Sequence, residues 1–217
     1  VKRGVTVVGR GTQQTLLSWP EENFLSMERN SVLKNAHLER VKYHEDPLVE
    51  LREGVDGVTL RNLRLSGESS GVVSESDRKN DDFLAENIVV DLKPTGYGSV
   101  GFEIEGDNAQ LTNLEFQADP NDNLSDGIVV VGSGALIQNT LFNLAPQGNS
   151  HVVDPLWVEG DGAQILDNEI HGYRRGIQVS SSGGGSVVDT ATVAGNEFYG
   201  PDPDEAIQVS YVKSARV

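Results

Sequence analysis

Two aspartates, an arginine and a glutamate occupy equivalent positions in a repeated phrase of the sequence. Asp126, Asp154, Arg175 and Glu205 begin four similar stretches, which read DGIVVVG, DPLWVEG, RGIQVSS and EAIQVSY. If these stretches stack, neighbours in the column lie about 4.8 Å apart at the backbone. Two carboxylates at such a short distance push each other's pKa values apart. Asp126 and Asp154 could therefore divide acid and base roles, while Arg175 stabilises negative charge. The alternative is an inter-turn salt-bridge ladder, which needs no function.

A tryptophan and several polar residues share one predicted strand face beside this column. Alternation along the phrase points five side chains outward: Glu103, Trp157, Glu159, Gln178 and Gln208. An indole ring packs on the apolar face of a pyranose, while carboxylates and amides bind its hydroxyl groups. The face therefore predicts contact with a polysaccharide. The alternative is that Trp157 is a half-buried surface aromatic under a neighbouring loop.

Loop residues on the same side extend the predicted binding set. Tyr173 and Arg174 directly precede the stretch that begins at Arg175, so we expect them to contact the same ligand. His151 and His171 belong to loops on this side, and a histidine can carry protons near neutral pH. Solvated loop histidines without a role are the alternative.

Acidic loop residues suggest Ca²⁺, the one cofactor that the sequence indicates. Asp119, Asp122 and Asp126 could supply carboxylate oxygens to the ion, and a second acidic group lies at 202–205. Neither group has the spacing of an EF-hand loop. Ordinary turns are the alternative, because Asp and Pro are common turn residues.

These candidates are positioned by a repeat that runs through the whole chain. An eight-residue phrase recurs as AQLTNLEF, ALIQNTLF, AQILDNEI and ATVAGNEF, with starts 26, 28 and 28 residues apart from Ala109 onward. Weaker copies begin at Val5, Ser31, Val58 and Phe83. A fixed period of this length indicates a solenoid, in which each unit buries its apolar face by stacking on its neighbours. The sequence therefore predicts about eight turns.

Two columns of the repeat are predicted to point into the core. The third position holds Val7, Leu33, Leu60, Ala85, Leu111, Ile137, Ile165 and Val193, and the eighth holds Thr12, Leu38, Leu65, Val90, Phe116, Phe142, Ile170 and Phe198. In the first half of each copy, apolar and polar residues mostly alternate. This period of two residues is typical of a β-strand. The chain is therefore expected to be all-β.

The fifth position of the repeat predicts a ladder of asparagines at a corner. Consecutive copies hold Asn35, Asn62, Asn87, Asn113 and Asn139, followed by Asp167. Asn tolerates a left-handed backbone, and stacked amides can hydrogen-bond along the stack. One Asn per turn therefore suits a tight corner between two short strands, and we expect these amides to be buried.

The two phrases together resemble the generic repeat of right-handed parallel β-helices in the pectate lyase-like superfamily. The resemblance rests on the GIxV and AxIxNNxF wording and covers the whole chain, and it implies three short strands per turn. Left-handed β-helices run on a strict hexapeptide period, which is absent, and crossover connections favour the right hand. In this superfamily the outer face of the first strand of each turn is usually the working surface, where Asp126, Asp154 and Trp157 are predicted to lie.

The resemblance implies a polysaccharide lyase, hydrolase or epimerase with Asp126, Asp154 and Arg175 as the catalytic column. The chain has no complete signature of one of these activities. Where mannuronan epimerases carry DPH, it reads DPL from Asp154, and of the polygalacturonase motifs it holds only a faint SDG from Ser125. Fibres, adhesins and accessory proteins are built from the same repeat. A non-catalytic surface or fibre module is therefore the alternative function.

Composition excludes several other classes. The net charge of −16 repels nucleic acid and anionic lipid, and the absence of Cys excludes disulfides and thiolate chemistry. The acidity is uneven, because residues 1–66 carry 10 basic and 9 acidic residues while 67–217 carry 7 and 24. Adaptation to high salt is one interpretation, and cation binding by acidic loops is the other.

The unbroken repeat predicts a single domain over residues 1–217. Open ends of a β-helix expose unpaired strand edges, which natural proteins cover. We therefore expect a segment of a longer protein, or other chains that cover its ends. No apolar run is long enough to insert into a membrane, and we expect an extracellular or cell-surface location.

Overall fold

The computed structural model describes residues 1–19, 25–40, 46–52, 54–74, 79–93, 98–118, 124–144, 154–173, 175–181, 188–199 and 205–217. Within these ranges the regular structure is all strand, as the alternation predicts, and the strand pairs are parallel. In chain order the strands are β1 (Thr6–Val8), β2 (Leu16–Trp19), β3 (Leu25–Met27), β4 (Val32–Arg40), β5 (Val49–Leu51), β6 (Thr59–Gly67), β7 (Val72–Ser74), β8 (Leu84–Leu92), β9 (Ser99–Glu105), β10 (Gln110–Ala118), β11 (Leu124–Val131), β12 (Leu136–Gln138), β13 (Leu141–Leu144), β14 (Asp154–Glu159), β15 (Ala163–Leu166), β16 (Glu169–His171), β17 (Arg175–Ser180), β18 (Val188–Ala194), β19 (Glu197–Tyr199), β20 (Glu205–Val209) and β21 (Val212–Arg216).

Two sheets, each built of parallel strands, run along the molecule. The main path of the 13-stranded sheet is β1-β4-β6-β8-β10-β12-β15-β18-β21, and β2, β13, β16 and β19 extend it sideways. The second sheet has eight strands in the order β20-β17-β14-β11-β9-β7-β5-β3. The chain therefore alternates between the two sheets, and each full turn adds its strands beside those of the preceding turn. This is the architecture of a parallel β-solenoid.

The number of complete turns is about six, fewer than the eight predicted. Both inward columns are fully buried in the six consecutive copies that run from Ser31 to Ile170. In the last copy Phe198 is only partly buried, and in the first copy Val7 is 38% exposed. Among the described strands, β1 pairs only with β4, where Val7 is opposite Leu33, and the other edge of β1 has no described neighbour. The end copies thus lack the two-sided packing that completes a turn.

The first copy also departs from the predicted eighth column. Leu17 of β2, rather than Thr12, lies opposite Leu38 of β4. Residues 9–15 separate β1 from β2 and include the turn in which Thr12 lies. The assignment of Thr12 to the core was therefore wrong, because an insertion shifts the second half of this copy along the chain.

The glycine of the GIxV phrase is required by close packing in the core. A Cβ added at Gly127 would lie 2.8 Å from Cε1 of Phe142 and 2.5 Å from the carbonyl oxygen of Pro155. Phe142 in turn stacks on Phe116 of the preceding turn, with ring centroids 4.9 Å apart. Only glycine leaves room for the aromatic ring and the neighbouring strand together.

The predicted asparagine corner is present, but its side chains face solvent. The five asparagines and Asp167 have φ between 53° and 58°, in the left-handed region. Nδ2 of Asn62 donates to Oδ1 of Asn35 at 2.9 Å, and Nδ2 of Asn87 donates to Oδ1 of Asn62 at 3.1 Å. Asn62 and Asn87 are exposed, so the expectation of buried amides was wrong.

The sixth position of the repeat divides the long sheet into two regions. In four turns it is apolar, with Ala36, Leu63, Ile88 and Leu114, and β4, β6, β8 and β10 run through the corner as single strands of nine residues. These turns have two strands each rather than three. In the next three turns the position is polar, with Thr140, Asn168 and Asn196, and the strand splits in two, giving the predicted three strands per turn.

A buried amide takes the place of strand hydrogen bonds where the strand splits. Oδ1 of Asn168 accepts from the backbone N of Thr140 at 3.0 Å, and its Nδ2 donates to the carbonyl of Ile137 at 3.2 Å. Nδ2 also donates to Oδ1 of Asn196 at 2.9 Å. Asn168 is 1% exposed, so the buried ladder lies at the sixth position and not at the fifth.

A second corner is held by aspartates, which the sequence did not reveal. Each carboxylate accepts a hydrogen bond from the backbone N of the equivalent residue one turn later. The donors to Asp56, Asp81 and Asp107 are Asp81, Asp107 and Ser133, at 3.3, 2.8 and 2.8 Å. Asp161 accepts from Asp189 in the same way. Part of the chain's acidity is therefore structural.

Candidate site on the second sheet

The predicted column of charged residues lies near the start of the second-sheet strands. Asp126 on β11 lies in register with Asp154 on β14, and Arg175 on β17 lies in register with Glu205 on β20. Nη2 of Arg175 donates to Oδ2 of Asp154 at 2.7 Å. The equivalent positions in the phrase thus bring Asp126, Asp154 and Arg175 together, as predicted.

Asp154 and Arg175 form a partly buried ion pair. Their side chains are 9% and 37% exposed, and Nη1 of Arg175 also donates to Oε1 of Gln178 at 3.3 Å. A carboxylate this deeply covered contacts its neighbours rather than a polymer outside. The position of Asp154 therefore suits it to orient Arg175 and to act on Asp126 through its charge.

Asp126 is the most strongly perturbed acid of the site. Burial raises its pKa from 3.8 to about 7, and the negative charges of Asp154 and Glu103 act in the same direction against the opposing charge of Arg175. A carboxyl group with such a pKa holds a proton about half of the time near neutral pH. Asp126 can therefore both donate and accept a proton under those conditions.

Trp157 lies in the predicted outward column, three residues along β14 from Asp154. It is in register with Val129 on one side and Gln178 on the other, and the column continues to Glu103 and Gln208. The tryptophan is partly exposed, and its Nε1 donates to Oγ of Ser180 at 3.0 Å. This bond fixes the ring and leaves part of its surface at the solvent boundary.

Two further carboxylates of the face are held in a similar environment. Burial raises the pKa of Glu103, and the charge of Glu105 adds to the effect. Burial also raises the pKa of Glu159, while a hydrogen bond from Ser180 opposes it. The described strands of the second sheet therefore carry carboxyl groups with raised pKa values at Glu103, Asp126 and Glu159, and the guanidinium of Arg175 is already paired with Asp154.

A shallow cavity adjoins this face where its strands end. Its volume is about 270 Å³, and its walls include Glu159, Asp161, Asp107 and Lys79. Nζ of Lys79 lies 3.7 Å from Oδ2 of Asp107. The cavity joins a strand end to the aspartate corner, a combination that alternation along a single strand could not reveal.

Some predicted residues lie elsewhere. Tyr173 is 8% exposed and packs edge-on against Phe198 with ring centroids 5.7 Å apart, so it belongs to the core. His171 lies on β16 of the long sheet, where its Nε2 is 2.6 Å from Oε1 of Glu169 and its ring stacks on Tyr199. Neither is on the second-sheet face, because the chain changes sheet between His171 and Arg175.

The remaining candidates lie outside the described residues. These are Asp119, Asp122, His151, Arg174 and the acidic residues at 202–204. Within the described ranges no group of three or more His, Asp or Glu side chains is arranged to hold a metal ion. Binding of Ca²⁺ at Asp119, Asp122 and Asp126 therefore stays a prediction.

The fold defines the class of this protein as a parallel β-solenoid. No protein-family model matches the chain, and no curated protein matches it in sequence. In the parts of the chain that the structure describes, no helix has the length and hydropathy of a membrane span. The geometry of the outer faces is what supports a functional proposal.

Proposed function

We propose that this protein is a carbohydrate-contacting β-helix of the pectate lyase-like type, which binds a polysaccharide along the outer face of the second sheet. The observation that carries the proposal is the placement of Trp157, whose ring is fixed by Ser180 and flanked in register by Gln178. A fixed, partly exposed indole beside amides and carboxylates offers an apolar surface to a sugar ring and hydrogen-bonding groups to its hydroxyls.

Acid catalysis by Asp126 is the enzymatic form of this proposal. Cleavage of a glycosidic bond needs an acid that protonates the leaving oxygen, and an acid with a pKa of about 7 is well suited to this step near neutral pH. Asp154 and Arg175, which form a hydrogen-bonded pair, then act as positioning residues. Asp154 also keeps the pKa of Asp126 raised by its negative charge.

The charge of the face favours a substrate without dense negative charge. Glu103 and Glu159 lie in the outward columns of the same sheet as the tryptophan, and Asp126 lies on the neighbouring strand, while the positive charge of Arg175 is directed to Asp154. A polyuronate would be repelled by such a surface unless cations bridged it. Hydrolysis of a neutral polysaccharide is therefore favoured over lyase or epimerase chemistry on uronates.

The test is a binding and turnover screen on neutral and acidic polysaccharides, each with and without Ca²⁺. Reducing ends report hydrolysis, and ultraviolet absorbance of unsaturated products reports a lyase. Trp157→Ala should weaken binding about 10-fold, equivalent to about 1.4 kcal/mol, because the sugar loses its stacking partner. Asp126→Asn should keep binding and abolish turnover.

Glu115→Gln, on the long sheet, is the matched control and should change neither quantity. Binding that is unaffected by Trp157→Ala would contradict the proposed surface. Binding without turnover on any substrate would limit the protein to carbohydrate contact. Stimulation by Ca²⁺ on acidic polymers alone would instead favour the lyase or epimerase alternatives.

A non-catalytic surface or fibre module is the second candidate function. It is favoured by the way in which polar side chains of this face bond one another, Arg175 to Asp154 and Gln178, and Trp157 to Ser180. Such bonds also form on the long sheet, where Arg64 pairs with Asp91. Absence of both binding and turnover across the screen would favour this candidate.

We infer an extracellular or cell-surface location, because polysaccharides are accessible there. The net charge of −16 would suit a salt-adapted host, since a dense carboxylate surface stays hydrated while salt screens its self-repulsion. Fractionation of cells that produce the protein tests the location. Retention in the cytosolic fraction would contradict it.

A further inference from the structure

The outer face of the long sheet holds a cavity of about 400 Å³ near the first turns. Its walls include His37, Glu39, Arg64, Ser66, Asp91 and Lys93. These residues come from three consecutive strands, β4, β6 and β8, and the residues that follow them. The cavity is on a different sheet from Asp126 and Trp157, so its chemistry is independent of the polysaccharide face.

A hydroxyl and an imidazole meet in this cavity. Nε2 of His37 lies 2.7 Å from Oγ of Ser66, across the boundary between neighbouring turns. The strand register places His37 beside Arg64 and Ser66 beside Glu39, so the contact is a diagonal between adjacent strands. With hydrogen on Nδ1, Nε2 accepts the hydroxyl proton, which is the arrangement that activates a serine nucleophile.

The surroundings keep the imidazole available as a base. Burial lowers the pKa of His37, the carboxylates of Glu39 and Asp91 act against that effect, and the charge of Arg64 supports it. The net direction favours the neutral ring near neutral pH. A neutral ring can take a proton, whereas an imidazolium ion cannot.

Positive charge lies within the same cavity. Nη2 of Arg64 donates to Oδ2 of Asp91, and Nζ of Lys93 is 4.0 Å from Oδ1 of the same carboxylate. During acyl transfer, negative charge develops on the carbonyl oxygen of the substrate. A guanidinium carries five N–H donors, so Arg64 can donate to that oxygen while it stays bonded to Asp91.

We propose that Ser66 and His37 form a nucleophile and base pair that hydrolyses esters of short acyl groups. Oγ of Ser66 bonds to the ester carbonyl carbon while its proton passes to Nε2 of His37. The bond from that carbon to the alcohol oxygen breaks, and His37 returns the proton to the departing alkoxide. Water then attacks the acyl-Ser66 carbonyl, gives a proton to His37, and releases the carboxylic acid as Ser66 recovers its hydrogen.

The size of the cavity sets the substrate class. About 400 Å³ of open space in the outer face accommodates a short acyl group such as acetyl, together with part of the alcohol that carries it. An alkyl fluorophosphonate, which reacts with activated serines, is therefore a suitable small probe.

The experiment is covalent labelling with that probe, followed by peptide mass spectrometry, beside hydrolysis of an acetyl ester. The wild-type chain should be labelled at Ser66. His37→Gln preserves a hydrogen-bonding side chain but removes the base, so the labelling rate should fall about 100-fold. Ser133→Ala, which removes an exposed hydroxyl elsewhere, is the control and should label like the wild type.

Labelling that is absent from Ser66, or that proceeds equally fast in His37→Gln, would overturn the proposal and leave the contact as a tie between β4 and β6. Far-ultraviolet circular dichroism on each variant shows whether it is folded. Ser66→Ala should in addition lose ester hydrolysis. Hydrolysis that persists in Ser66→Ala at the wild-type rate would also count against the proposal.

Discussion

The outer faces of the two sheets distribute charge in opposite ways. On the long sheet, cations and carboxylates pair across turns, as Arg61 does with Glu86 at 2.6 Å and Arg64 does with Asp91. On the second sheet, Glu103, Asp126 and Glu159 lie where burial raises their pKa values. The same repeating backbone thus supports one neutralised face and one face crowded with carboxylates.

This difference indicates which groups remain available for chemistry on each face. Where the charges neutralise one another, the reactive candidates are a hydroxyl and an imidazole, Ser66 and His37. Where carboxylates crowd together, Asp126 retains a proton near neutral pH and becomes an acid. The faces are therefore suited to different reactions, and their charged pairs should respond differently to substitution.

The largest expected effect is on the Arg175–Asp154 pair. Asp154→Asn should lower the free energy of unfolding by about 2 kcal/mol, because Arg175 loses its bond to a carboxylate that is only 9% exposed. Asp91→Asn is the matched control, since Arg64 and Arg175 are both 37% exposed while Asp91 is 21% exposed and Asp154 is 9% exposed. The control should cost less than about 1 kcal/mol. Denaturant unfolding measures both, and equal losses would remove the contrast between the faces.

The next effect is the pH dependence that Asp126 imposes on stability. Its pKa is about 7 in the folded chain and 3.8 in the unfolded reference, so between these values the folded state binds more protons. Stability should therefore fall as the pH rises through this window. The melting temperature of Asp126→Asn should be higher than that of the wild type at pH values above this window, and the two should be similar at pH values below it. Parallel melting profiles at all pH values would show that Asp126 is an ordinary surface acid.

A smaller effect is expected from salt. Molar NaCl should raise the melting temperature by about 2–4 °C, because it screens repulsion among the carboxylates of the second sheet. Replacing Glu103 and Glu159 together with Gln should reduce this gain. A Ca²⁺ site predicts a different response, which saturates at millimolar Ca²⁺ and is absent at equal ionic strength of NaCl. A response to neither salt would contradict both interpretations of the acidity.

The smallest effect is expected at the Arg61–Glu86 pair. Its side chains are 45% and 30% exposed, and solvent weakens the attraction between them. Glu86→Gln should change the free energy of unfolding by less than about 0.5 kcal/mol. A loss as large as that of Asp154→Asn, measured by the same denaturant unfolding, would mean that exposed pairs on the long sheet also carry stability.

The repeat predicts the core and the site column because both depend on position alone. Inward residues such as Leu33 and Phe116 recur at fixed places in the phrase, and their burial follows from stacking. The neighbourhood of Asp126 and Asp154 follows in the same way from equal places in successive phrases. Stacked repeats place equivalent residues side by side whatever their side chains are.

Features that depend on side-chain direction or on breaks in the period could not be predicted. The left-handed residue at the fifth position reverses the alternation, so the sixth position points inward and Asn168 is buried. The register does not specify which side chains meet diagonally, so the contact between His37 and Ser66 was missed. The insertion at residues 9–15 breaks the period of the repeat, so it displaced Thr12 from the core position that the period predicts.

The aspartate corner makes the turns interchangeable units of length. Each bond joins a carboxylate to the backbone N of the same place one turn later, so the donor can be any residue with an amide hydrogen, as Ser133 is. Removing residues 109–134 would bring the backbone N of Asp161 opposite the carboxylate of Asp107 and re-form the corner. We therefore expect the chain to tolerate the duplication or deletion of one whole repeat better than the loss of a few residues within a repeat.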